Sequence, residues 1–180
     1  MTSNLTIRDR CFEWGRRTYL MGVLNVTPDS FSDGGEFNAI ASALAQARAL
    51  QAAGADIIDI GGQSTRPGAE QISVTEELNR VLPVLQVLRP EISLPISVDT
   101  TRSEVAIAAR EAGADIVNDV SGGMFDPEML PSVAKLGVPI ILMHMRGTPQ
   151  TMQKMTDYQD LMGEIGNFFS ERIATAIATG

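Results

Sequence analysis

The feature that most narrows the fold is a transition used twice. Gly54-Ala55-Asp56-Ile57-Ile58 and Gly113-Ala114-Asp115-Ile116-Val117 each end a run of helical spacing and open a short apolar run. They lie 59 residues apart, the length of two strand–helix units of about 30 residues each. Five such units follow one another. Strands are expected at residues 19–24, 57–60, 95–99, 116–120 and 139–143, the first as a buried strand. The first helix takes Asn38 as its cap and ends at Gly54. The second opens on a Ser73–Glu76 capping box, and Pro83 should kink or break it. The third opens on Thr101 with Glu104. The fourth starts at Asp126-Pro127 and ends at Gly137, and the fifth carries Leu161, Ile165, Phe168, Phe169 and Ile173. Ahead of the first strand, residues 11–14 and 17–24 read as a hairpin turning at Gly15-Arg16.

Strands that alternate with helices should run parallel. Polar residues stand at successive strand ends: Asn25, Asp59, Asp99, Asn118, Asp119 and His144. A doubly wound sheet would gather its ligand groups mainly at one switch point. Groups at five consecutive strand ends fit a (β/α)8 barrel better, and a full barrel takes about 250 residues. The expectation is therefore an α/β TIM barrel truncated after about five units, with an N-terminal β-hairpin, forming one partial domain over residues 1–180.

The net charge of −8 and the lack of a basic cluster argue against nucleic acid or an anionic membrane as partner. One cysteine, Cys11, allows no intrachain disulfide and points to the cytoplasm. No apolar stretch approaches the roughly 20 residues of a membrane span, and residues 1–10 lack the apolar region of a signal peptide.

The first strand runs into Asn25-Val26-Thr27-Pro28-Asp29-Ser30-Phe31-Ser32-Asp33-Gly34-Gly35. Pro28 removes a donor and the glycine pair frees the backbone, so this is a loop carrying an amide, two carboxylates and three hydroxyls. Such loops at the carboxyl ends of barrel strands are where chemistry is placed.

This stretch resembles the first signature of the dihydropteroate synthases, and Ser64-Thr65-Arg66-Pro67-Gly68 resembles their second. Ser97-Val98-Asp99-Thr100 and Val117-Asn118-Asp119-Val120-Ser121-Gly122-Gly123 follow in matching order and spacing. The resemblance implies a pterin-binding TIM barrel of folate biosynthesis. Such enzymes join 6-hydroxymethyl-7,8-dihydropterin diphosphate to p-aminobenzoate and release diphosphate.

A pterin carries a flat edge of adjacent donors and acceptors. A buried carboxylate matches its donors, and an amide serves both kinds of group. By resemblance, Asp99 and Asn118 line that pocket and Met143 packs on the pterin face. Asn25 is the family's metal position, where an amide oxygen would join diphosphate oxygens and water around Mg²⁺. Thr65 and Arg66 suit a diphosphate or a carboxylate. By the same resemblance, Phe31 and Pro67 enclose the aminobenzoate ring. Asp33, with Arg66, is assigned to the catalytic machinery, ordering the loop over substrate and metal. Asp59 and Asp119 are either ligands or supports, and His144 is at least as readily structural as catalytic.

The family pattern continues past residue 180 with further pterin, diphosphate and subunit-pairing groups, so this chain alone is expected to be inactive, and the homodimer expected of the full-length enzymes is not assured for it. The alternatives are a pterin-binding domain of a methyltetrahydrofolate-dependent methyltransferase, a non-catalytic pterin-binding fragment, and a half-barrel completed by a partner chain.

Overall fold

A computed structural model of the chain describes residues 4–27 and 35–180. Two antiparallel strands come first, β1 (Asn4–Ile7) and β2 (Arg10–Glu13), paired from Asn4 opposite Glu13 to Ile7 opposite Arg10. The expected hairpin is thus displaced. Its turn is Arg8-Asp9, with Arg8 at φ 57°, and residues after Gly15 do not pair with β2. No Gly, Pro or Asn marks this turn, so the sequence signal pointed to Gly15 instead.

Five parallel strands follow: β3 (Met21–Asn25), β4 (Ile57–Gly61), β5 (Ile96–Asp99), β6 (Ile116–Asp119) and β7 (Ile140–Leu142). Their order in the sheet is their order in the chain. This is the arrangement of a barrel arc and not of a doubly wound sheet, whose order reverses near the middle. The helices α1 (Gly35–Ala52), α2 (Val74–Glu91), α3 (Ser103–Glu111), α4 (Met129–Leu136) and α5 (Leu161–Thr179) pack successively on one face.

Each strand therefore has two different faces. Leu24, Ile58, Ile60, Ile96, Val98 and Val117 point outward into one core with Val81, Leu85 and Leu88 of α2 and Val105 and Ala109 of α3. The inward face is apolar only at its lower end, where Ile57 and Ile116 pack against Ile7 and Phe12 of the hairpin. The hairpin thus closes the bottom of the arc. Higher up, the inward residues are polar or exposed. The first parallel strand is consequently buried on one face only, contrary to expectation, and Val23 is 53% exposed.

Local signals succeed and fail for physical reasons. Ser73 accepts a hydrogen bond from the Glu76 amide (3.1 Å), as its capping pattern requires. Helix α2 runs unbroken through Pro83. A helix-interior proline costs about 3 kcal/mol, and burial of Val81, Val84, Leu85 and Leu88 outweighs it. The Thr101 cap of α3 does not form. The Ser103 amide instead donates to Asp126 Oδ2 in the next βα loop (2.7 Å), and α4 begins at Met129, beyond the Asp126-Pro127 start. Helix α1 begins at Gly35, earlier than the expected Asn38 cap. Gly54 and Gly137 lie at positive φ at the two helix ends they were expected to terminate.

Candidate active site

Strand register brings the site together. Asn25 lies beside Gly61, Gly61 beside Asp99, and Asp99 beside Asn118. Lower by one inward-facing position, Asp59 lies beside Ser97. With no side chain at Gly61, the space between Asn25 Oδ1 and Asp99 Oδ2 stays open; an added Cβ would sit 3.7 Å and 3.5 Å from them.

Above these residues lies a cleft of about 650 Å³. Asn25, Asp59 and Asp99 form its floor, while Thr65, Arg66 and Arg80 line the side after β4. Asn118 reaches it indirectly, donating its amide to Asp59 Oδ2 (3.0 Å). Pro67 is exposed beside this cleft and Met143, 42% exposed, stands beyond its lining. Phe31 and Asp33 lie outside the described residues.

The floor is electrostatically unusual. Asp59 is 4% exposed and has no cation beside it. Its Oδ1 and the Oδ1 of Asp99 are both buried without a hydrogen-bond partner in place among the described residues, although the buried Ser97 hydroxyl beside Asp59 lowers its carboxyl against the effect of burial. Burial raises the Asp59 carboxyl above its ordinary range. Asp99 is pushed up to about 7 by burial first, then by the charges of Asp59, Glu77 and Asp119. Carboxylate oxygens buried and unanswered cost several kcal/mol unless a ligand or proton meets them. A flat ligand edge carrying N–H donors would answer both.

Asp119 faces the other way. It is fully buried, and burial raises its carboxyl too, but it accepts from the Ser121 amide (2.8 Å), the Ser121 hydroxyl (2.7 Å) and the Gly123 amide (2.8 Å). It organises the loop after β6 and does not open onto the cleft. His144 lies edge-on to Phe168 at 4.8 Å, with Tyr158 and Phe169 nearby. It sits in an aromatic cluster that seats α5.

Sequence reasoning missed Glu77, the acidic residue behind the floor. It is 1% exposed on α2, accepts from Thr100 Oγ1 (2.7 Å) and pairs with Arg102 (2.6 Å). Arg102 also donates to the Ile72 carbonyl. This network ties the exit of β5, one residue beyond Asp99, to the loop after β4. Its partner residues are 23 and 25 positions away, so no local pattern announces it. Gln63 braces the same loop, donating to the carbonyls of Ser64 and Glu70 and accepting from the Ile72 amide.

Among the described residues, no three His, Cys, Asp or Glu side chains converge as a metal cage. Asn25 nonetheless suits Mg²⁺, which is commonly held by one or two protein oxygens with water and substrate phosphates. Its side chain is exposed at the cleft and has no hydrogen-bond partner among the described residues.

Comparison with known proteins agrees with this geometry. The model of the family described as pterin binding enzyme matches residues 21–180. The chain belongs to the pterin binding enzyme family. A dihydropteroate synthase from Synechocystis sp. is 59% identical over 172 residues, covering 96% of this chain and 60% of that protein. The crystal structure of the Yersinia pestis dihydropteroate synthase with a sulfonamide drug superposes with a TM-score of 0.89 at 44% identity, over 99% of this chain and 64% of that one. The Xanthomonas albilineans dihydropteroate synthase with 4-aminobenzoic acid gives a TM-score of 0.89 at 43% identity, over 100% and 63%. The chain thus spans about three fifths of the length of these relatives. The motif resemblance to dihydropteroate synthases and the TIM-barrel fold are both borne out. Among the described residues no helix is long and apolar enough to cross a membrane.

Proposed function

We propose that this chain carries the pterin and diphosphate side of a dihydropteroate synthase. The observation that carries the reading is the pair of buried carboxylates Asp59 and Asp99, each with an oxygen that has no partner in place among the described residues, beneath a wall bearing Thr65 and Arg66. Asp99 accepts from the pterin's N–H donors in its ionised form. Asn118, oriented by its bond to Asp59, offers an amide to the same edge. Met143 approaches the pterin ring as the ligand fills the arc.

Arg66 has no side-chain partner among the described residues and stands exposed at the cleft rim. A free guanidinium there holds the diphosphate or the carboxylate of p-aminobenzoate, with the Thr65 hydroxyl beside it and Pro67 and Phe31 against the aromatic ring. Mg²⁺ at Asn25 would neutralise charge building on the departing diphosphate. In the reaction, the bond from the pterin methylene carbon to the diphosphate oxygen breaks. The aniline nitrogen then bonds that carbon and sheds a proton. Asp33 orders the first loop over the site. No nucleophile–base pair stands among the described residues of the site, and this chemistry needs none: charge stabilisation and orientation carry it.

Calorimetry with 6-hydroxymethylpterin, and with an analogue lacking the 2-amino group, tests the reading. The full pterin should bind and the analogue should lose at least about tenfold, since one buried acceptor returns to being unanswered. Equal binding of both would refute the assignment of Asp99. Turnover with both substrates and Mg²⁺, with and without the remaining segment of a relative's barrel, tests how much of the activity resides in these 180 residues. The expected result is no dihydropteroate from the 180 residues alone.

A further inference from the structure

The connection after β7 runs from residue 143 to residue 160 and reaches back across the arc. The amide of Gly68 donates to the Pro149 carbonyl (2.8 Å), and Gln150 Nε2 donates to the Ala69 carbonyl (2.6 Å). These bonds join the loops after β4 and β7, which are separated in the sheet by β5 and β6. The contact therefore spans the two strands that carry Asp99 and Asn118.

Both ends of this bridge have their own order. On the β4 side, the Ala69 amide donates to the Arg66 carbonyl (3.0 Å) and Gly68 has φ 78°. With Pro67 second and Gly68 third, residues 66–69 follow a type II turn, whose first residue is Arg66. The bridge grips that turn at the Gly68 amide and the Ala69 carbonyl. On the β7 side, Thr151 Oγ1 accepts from the Thr148 amide (2.9 Å). Arg146 donates to the Asp157 carbonyl (2.7 Å) and lies 4.5 Å over the Tyr158 ring. Two locally folded loops meet, and Arg66, a cation at the cleft, stands on the turn they share.

We propose that residues 147–151 clasp the 66–69 turn from across the arc, and that Gln150 is a positioning residue that sets Arg66 for an anionic ligand. The inference rests on the reading of Arg66 given above for its ligand, but not for the clasp itself. With the clasp shut, the turn that carries Arg66 at the cleft is held from both loops. With it open, the turn is held only from its own side by Gln63, and an anion must order it on binding.

Amide hydrogen exchange of the 180-residue protein reads the clasp directly, and calorimetry with inorganic diphosphate and with 6-hydroxymethylpterin reads its consequence. Gln150→Ala should speed Gly68 exchange about fivefold to tenfold and weaken diphosphate by a similar factor, leaving the pterin within about twofold. Gly147→Ala should do more, because Gly147 has φ 73° and a Cβ there would meet Thr151 Oγ1 at 2.5 Å and Met155 Sδ at 2.7 Å. Gln150→Arg, which keeps an N–H donor toward Ala69, should restore slow Gly68 exchange. Unchanged exchange in both Gln150→Ala and Gly147→Ala overturns the clasp. Equal losses of diphosphate and pterin overturn the positioning role and make Gln150 a general stabiliser. A wild-type protein that binds neither probe refutes the functional reading instead, and Gly68 exchange then decides the clasp by itself.

Discussion

The two ends of the parallel sheet treat the same residue type in opposite ways. At the start of β4, Asp56 takes both guanidinium nitrogens of Arg17 (2.9 and 2.6 Å) and the Leu20 amide (2.9 Å). Its carboxyl is held below the usual range by the Arg17 bonds first of all. At the start of β6, Asp115 repeats the arrangement, taking Arg89 (2.9 Å) and the Ile96 amide (3.0 Å). Arg89 in turn donates to the carbonyls of Ile92 and Leu94. The repeated Gly-Ala-Asp transition is thus a latch that joins each strand's entry to its neighbour. Three residues beyond Asp56, Asp59 has no cation, and Asp99 shares its situation. The lower end satisfies its charges and stabilises the arc. The upper end leaves oxygens of Asp59 and Asp99 without a partner among the described residues, which costs stability.

Substitutions should separate the two ends. The largest effect belongs to the lower one. Asp115→Ala strands the mostly buried Arg89 and should cost about 3 kcal/mol or more in urea unfolding. Asp56→Ala, whose Arg17 is half exposed, should cost less, about 1–2 kcal/mol. Equal small losses at both would dissolve the distinction between latch and site.

Next comes Asp99→Asn, which should lose about 2 kcal/mol or more of pterin affinity by calorimetry, with Asn118→Ala behind it. Its effect on stability has the opposite sign. A folded value of about 7 against an ordinary 3.8 means that, between those limits, the folded chain binds more protons than the unfolded one. Stability from this group therefore falls as pH rises from about 4 to 7, and the penalty stands in full above 7. Asp99→Asn should raise the melting temperature at pH 8 and leave it nearly unchanged at pH 4. A destabilised variant at pH 8 would show that Asp99 is satisfied in a way the fold does not reveal.

Smaller still is Glu77→Gln. It removes one of the charges that raise Asp99, so the acid limb of pterin binding, expected just below pH 7, should move toward lower pH. A limb that stays in place while affinity drops would make Glu77 a purely mechanical support. Smallest is Asn25→Ala, which should raise the Mg²⁺ needed for diphosphate binding several-fold, about 1 kcal/mol, and spare the bare pterin. Matching losses for both ligands would place Asn25 in the pocket's structure.

Much of this was legible in the sequence because it is local or strictly ordered. Apolar runs, capping at Ser73 and glycines at helix ends all act within a few residues, and the Asp99–Asn118 pairing follows once neighbouring strands are parallel. The motif resemblance also pointed to Asn25, Thr65 and Arg66, which line one cleft. What escaped depends on partners far away. Glu77 reads as one more acid in a helix's first turn until Arg102 folds against it. Thr101 satisfies every local rule for a cap and loses to Asp126 from the next loop. The hairpin was assigned to Gly15 because Arg8-Asp9 offers only an aspartate where Gly15 offers a glycine. Whether Asp59 and Asp119 face inward or outward depends on where each strand's register puts it, which a two-residue period cannot decide for runs apolar on both faces.

The strand order has a consequence for how the molecule comes into being. Because β3 through β7 lie side by side in the order of the chain, no strand has to wait for a distant partner. Each βα unit emerging during synthesis finds the preceding one already available as a template, and loop-closure entropy is paid in short instalments. The hairpin, made first, offers Ile7 and Phe12 to Ile57 and only later to Ile116. Growth is therefore vectorial: at every stage the nascent sheet exposes one advancing edge, and that edge is the next unit's docking place.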